Sequence, residues 1–167
     1  MAALKFKILK TKFFNIIYQN GKAEKLIYKY LENNKKKSLW NKLISIYIKR
    51  KLEKNFHIII GRNVSVGKQL TLPHPQNIVI GNYVKIGDNC KIFQDVTIGL
   101  KDQNFEDITH KYPIIKNNCC LYAGSKIIGS ITLENGTIVG ANSVLLTSTC
   151  ENGVYVGMPA ILKKINE

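Results

Sequence analysis

Acidic side chains are scarce in this 167-residue chain: 11 Asp and Glu stand against 25 Lys and Arg, a formal charge of +14. Such a balance argues for an anionic partner, whether nucleic acid, anionic lipid or an acidic small molecule. No segment carries a motif with base-reading residues, so nucleic acid is set aside. The four cysteines, Cys90, Cys119, Cys120 and Cys150, show no C-x-x-C spacing, which argues against a zinc site, and no metal is expected. They read as reduced, mostly buried thiols of a cytosolic protein. No run approaches the ~18 apolar residues of a membrane span. The Lys-rich N-terminus lacks the sustained apolar stretch of a signal peptide. The expected location is cytoplasmic, with contact at the inner face of the membrane left open.

What the chain does have is a period. From Ile60 a branched aliphatic residue returns every six positions, at Val66 and Leu72 and, after two inserted residues, at Ile80, Ile86, Ile92 and Ile98. The frame resumes at Ile115, Leu121, Ile127, Leu133, Val139 and Leu145. A smaller set lies two residues before each anchor, among them Ile58, Val64, Leu70, Ile78, Val84, Cys90, Val96, Cys119 and Ser125. A period of six is neither the 3.6 of a helix nor the 2 of a lone strand. It fits a coil whose every flat side is one short strand, a hexapeptide β-helix. Glycines that follow the anchors at 61, 67, 81, 87, 99 and 140 suit corners needing a positive φ or a close backbone approach. An ordinary β-sandwich would alternate with period 2 and show irregular spacing.

Three parts follow. Residues 1–55 read as basic amphipathic helices, 56–162 as the coil with an excursion at 100–112, and 163–167 as a tail. The fold class is all-β with a short N-terminal α-helical extension. The helices, with Leu39, Trp40, Leu43, Ile44 and Tyr47 at helical spacing, are expected to pack on the first coil. The alternative is that they lie on an anionic membrane surface.

The hexapeptide frame, the stretch Leu72-Pro-His-Pro-Gln-Asn-Ile-Val-Ile-Gly81, Gln94-Asp-Val-Thr-Ile-Gly99, Val139-Gly-Ala-Asn-Ser-Val-Leu145 and Val156-Gly-Met-Pro-Ala160 resemble the hexapeptide-repeat acyltransferases. Within them the likeness is to the serine acetyltransferase-like branch, above all its short members in surface-polysaccharide pathways. It covers about residues 40–165. It implies a left-handed parallel β-helix, a homotrimer, and acetyl-CoA as co-substrate lying in a groove between neighbouring coils. The hand rests on the resemblance alone, since parallel crossovers are otherwise right-handed.

His74 matches the family's catalytic histidine. It falls in the two-residue insertion after Leu72, on a corner, between Pro73 and Pro75. An imidazole there can take the proton of an acceptor hydroxyl as that hydroxyl attacks a thioester. Asp95 is a candidate to orient it, and His110 and Lys111 are candidates for the acceptor pocket. Gly99 is a candidate amide donor to the thioester oxygen. By carry-over, the backbones of Ala123, Gly124, Gly140 and Ala141 meet the pantetheine arm; plain corner residues are the alternative.

Several family positions depart. Pro73 stands where that branch has an aspartate, Ile59 stands near the other partner aspartate, and Lys111-Tyr112 replaces an Arg-His pair. A zwitterionic amino acid would find few counter-charges. The reading that follows is an acetyl-CoA-dependent O-acetyltransferase acting on a sugar hydroxyl of a surface polysaccharide or glycan. Its alternatives are serine O-acetylation for cysteine biosynthesis and a non-enzymatic β-helix scaffold. A three-histidine β-helix carbonic anhydrase lacks its third ligand after His110.

Overall fold

The computed structural model describes residues 21–100 and 112–166; the first expected helix and residues 101–111 lie outside them. Two helices lead into a three-sided parallel β-helix, left-handed in its winding. Helix α1 spans Lys22–Lys35 and buries Ala23, Ile27, Tyr30 and Leu31, residues that share one helical face. Lys36 turns extended, and helix α2 follows over Leu39–Phe56.

Each side of the tower is a strand of two or three residues, except the five-residue β13 at the top. One side stacks β1 (Ile59–Ile60), β3 (Val79–Ile80), β6 (Thr97–Gly99), β9 (Lys126–Ile128) and β12 (Val144–Leu145). The second stacks β2 (Ser65–Val66), β4 (Lys85–Ile86), β7 (Ile114–Ile115) and β10 (Thr132–Leu133). The third stacks β5 (Lys91–Ile92), β8 (Cys120–Leu121), β11 (Ile138–Val139) and β13 (Gly153–Gly157), with Thr71 bridging to Lys91 below. The register puts anchor on anchor: Ile60 on Ile80 on Ile98 on Ile127 on Leu145.

Both six-residue sets point inward. Every anchor except half-buried Val66 is buried, and so is every residue of the set two positions before, Ile58 through Ser143. At about 1.5–3 kcal/mol per fully buried aliphatic side chain, this column is the core. Cys90 and Cys119 sit in it as free thiols, each donating to a backbone carbonyl, Lys116 O at 3.1 Å and Glu134 O at 3.2 Å. A side-chain hydrogen bond with Cys90, and then burial, push the Cys119 thiol up, so it stays protonated.

Corner chemistry differs from the expectation in one respect. The left-handed residue falls three positions after the anchor and is most often asparagine: Asn63, Asn89, Asn118 and Asn142 have φ of 54–58°. The glycines directly after the anchors, Gly99 excepted, serve close approach instead. A Cβ on Gly87 would lie 2.5 Å from Asn117 Oδ1 and 2.8 Å from the Lys116 carbonyl carbon. Those side-chain carbonyls form a ladder up one edge: Asp88 Oδ1 accepts Lys68 N, Asn117 Oδ1 accepts Asp88 N and Asn135 Oδ1 accepts Asn117 N.

At the base, α1 meets the edge of the first coil. Tyr28 Oη donates to Gly67 O at 2.7 Å and accepts Leu70 N at 2.9 Å, while Glu24 Oε1 accepts Leu72 N at 2.7 Å. Backbone N–H groups that the lowest coil would leave unpaired are thereby satisfied. At the other end β14 (Ala160–Ile165) runs antiparallel to β13 and takes in residues 163–165, read from the sequence as tail.

Candidate functional site

The corner carrying His74 is built by its neighbours in sequence. Leu72 is buried in the core, Pro75 is buried, and the two-residue insertion between them and Ile78 lifts His74 to the surface. Proline fixes φ on both sides of it, and Gln76 N closes the turn on His74 O at 2.8 Å. The imidazole is exposed, and the ring of Phe93 lies 6.2 Å from it between centroids at 52°. No hydrogen bond from the described residues holds either ring nitrogen there.

The tower brings six of the nine candidate residues to the same edge. Asp95, Ala123, Gly124, Gly140 and Ala141 occupy successive coils at the corner where His74 opens the column. The backbone links them: Asp95 N donates to Gln76 O, Gly124 N to Gln94 O and Asn142 N to Ala123 O. Gly124 adopts φ 72°, and a Cβ there would collide with the Asn142 side chain. Gly99 ends β6 one side further round, where the chain leaves toward the excursion, and a Cβ there meets nothing within 4 Å. His110 and Lys111 lie outside the described residues.

Among the described residues Asp95 makes no hydrogen bond to His74. Its Oδ1 accepts Asn77 Nδ2 at 2.7 Å, and its backbone carbonyl accepts Lys126 Nζ at 2.7 Å. The reason is its left-handed backbone, φ 60°, which makes it the corner residue of its coil and directs it at the corner residue below.

The sequence reading missed three features here. Phe93 and Tyr122 stack 5.0 Å apart at 14° and continue from His74 as a column of rings. Each directly follows an anchor, Ile92 and Leu121, so the shared register was the available signal. Gln94 Oε1 is buried without a partner beside them. Glu24 arrives from α1, far away in sequence, and buries its carboxylate against Leu72; Oε2 has no partner.

No protein-family model matches the chain. The serine acetyltransferase of Buchnera aphidicola is 36% identical over 131 residues, covering 76% of this chain and 49% of that protein. The serine acetyltransferase of Staphylococcus epidermidis is 33% identical over 143 residues, covering 76% of this chain and 64% of that protein. A solved serine acetyltransferase in complex with CoA superposes with a TM-score of 0.67 at 26% identity, covering 82% of this chain and 55% of that one. The chain thus spans about half to two thirds of the proteins it matches.

These relatives overturn the glycan acceptor. The reading as a sugar acceptor rested on Pro73 and Ile59 standing where carboxylates are expected and on Lys111-Tyr112 in place of an Arg-His pair; the likeness to serine acetyltransferases at 33–36% identity favours serine instead. By sequence and by its coiled tower, the chain is similar to the serine acetyltransferases over about three quarters of its own length.

Proposed function

We propose that the chain transfers the acetyl group of acetyl-CoA to the hydroxyl of serine, with His74 as general base. The observation that carries this is the exposed imidazole of His74, pinned between two prolines on the edge lined by Ala123, Gly124, Gly140 and Ala141. The similarity to serine acetyltransferases, one of them solved with CoA, supports both substrates.

In this reading the imidazole takes the hydroxyl proton as the oxygen attacks the thioester carbonyl carbon. The tetrahedral intermediate then expels the thiolate, and the imidazolium returns the proton to its sulfur, giving acetylserine and free CoA. Small residues along the edge leave the backbone open to a linear pantetheine arm. The groove is completed by a second copy, so the working unit is a trimer; Gly99, on the adjoining edge, then faces the groove of the next pair.

The test is thiol release from acetyl-CoA by the purified protein with L-serine, followed by identification of the acetylated product. His74→Ala lowers the rate about 10²–10⁴-fold, the usual contribution of a general base, without changing the sedimentation of the assembly. Full turnover in that variant removes His74 from the chemistry, and absence of serine-dependent release in the wild-type protein removes the acceptor.

A further inference from the structure

Helix α2 is dressed on both sides. Ser45, Ile48, Leu52 and Phe56 are buried beneath it, yet the opposite side exposes Leu39, Trp40, Leu43, Ile46 and Tyr47. Trp40 is 75% exposed and Leu39 71%, contrary to the expectation that this stripe packs on the tower. Large apolar side chains gathered on one exposed face mark an interaction surface.

The stripe runs into a basic cleft. Trp40, Ile44, Tyr47 and Lys51 follow one another at helical spacing of four, three and four, on one side of α2. Lys51 lines, with Lys22, Lys25 and Lys29, a cleft of about 610 Å³ between the two helices, with Leu26 and Phe56 in its wall. None of these lysines makes an ion pair; those found among the described residues are Lys36–Glu32 and Lys116–Glu134. On α2 itself Lys42, Lys49, Arg50, Lys51 and Lys54 face a single acid, Glu53.

We infer that this face docks on an anionic lipid bilayer, with the Trp40 stripe entering the headgroup boundary and the cleft lysines holding lipid phosphates. Aromatic and leucine side chains beside lysines on a helix lying in the plane of the membrane are what such a surface binds. No helix among the described residues is long and apolar enough to cross a membrane, so the contact is with its surface. A second copy of the same face is a poorer occupant. Two-fold pairing sets each patch against itself and would bring the unpaired lysines of both cleft mouths together.

Trp40 is the only tryptophan in the chain and therefore reports directly on its own face. The full chain is titrated with vesicles of phosphatidylglycerol and phosphatidylcholine, and with phosphatidylcholine alone, while tryptophan emission and co-sedimentation are followed. The expected result is a blue shift with co-sedimentation on the anionic vesicles only, reversed by salt. Leu43→Ser with Tyr47→Ser, which keeps the reporter, weakens partition roughly tenfold or more, about the worth of one buried apolar side chain. Lys25→Glu with Lys29→Glu weakens it as well, and unchanged thermal unfolding shows that both variants fold. The inference is overturned by no shift on anionic vesicles, or by equal binding to neutral ones. It is equally overturned by a Trp40 emission that is already blue without lipid and reddens on dilution, which identifies a second copy as the occupant.

Discussion

The carboxylate of Glu24 accepts the backbone N–H of Leu72 at 2.7 Å, tying the first turn of α1 to the residue that introduces the Pro73-His74-Pro75 corner. The pair is buried, and the bond is charge-assisted. Glu24→Ala leaves that N–H buried without an acceptor and is expected to cost about 1–3 kcal/mol in a denaturant titration. Glu24→Gln keeps an acceptor and is expected to lose less. If the tie also fixes the corner, serine-dependent thiol release falls in both variants through kcat rather than KM.

Two glycines with the same place in the repeat should behave oppositely. Gly87→Ala drives a Cβ into Asn117 and the Lys116 carbonyl carbon of the coil above, with an expected loss of about 1–3 kcal/mol. Gly99→Ala meets nothing within 4 Å and should change stability by no more than about 0.5 kcal/mol. Thermal unfolding distinguishes them. A Gly99→Ala protein that is stable but slow in acetyl transfer places that glycine against the substrates.

Alkaline pH should loosen the helical base. Burial, with the nearby Glu53 adding to it and Arg62 opposing, pushes the Tyr30 phenol above its ordinary value. Burial also raises Tyr155, helped by its hydrogen bond with Cys150. A raised value means the folded state holds the proton more tightly. The stability it contributes is therefore complete below the ordinary phenol value of about 10 and is lost as pH rises through the folded one. Denaturant midpoints taken across that window should fall, and Tyr30→Phe should flatten the fall.

The ring column should matter to His74 without mattering to the fold. Phe93 is half-buried, and its ring is the aromatic partner found for the imidazole among the described residues. An aromatic contact is worth about 0.5–1.5 kcal/mol, so Phe93→Ala should lower kcat by a few-fold to about tenfold. In a His74→Ala background the same change should do nothing further, which a double-mutant cycle reads directly.

The tower was legible because its burial rule is a strict period: Ile60, Ile80 and Ile98 are stacked by a register that counting in sixes exposes. His74 was legible for the same reason, as an insertion that breaks the count. The Asn77 partner of Asp95 was not legible, because proximity along one edge does not say where a left-handed corner residue points. Glu24 was invisible because no pattern links a helix's first turn to a backbone N–H 48 residues later. The face of Trp40 was misjudged because amphipathic spacing reveals that a stripe is apolar and leaves open what covers it. The acceptor was misjudged because departures at Pro73 and Ile59 were weighed above the likeness of the whole frame to the serine acetyltransferases.

Strand β14 reverses direction against β13, and its Lys163 and Lys164 are exposed. A column of parallel rungs is by nature an open-ended template, since each rung offers the next the same row of donors and acceptors. The reversal ends that side with a strand of the wrong polarity and a like-charged rim. One hairpin thereby keeps a filament-forming architecture as a discrete particle.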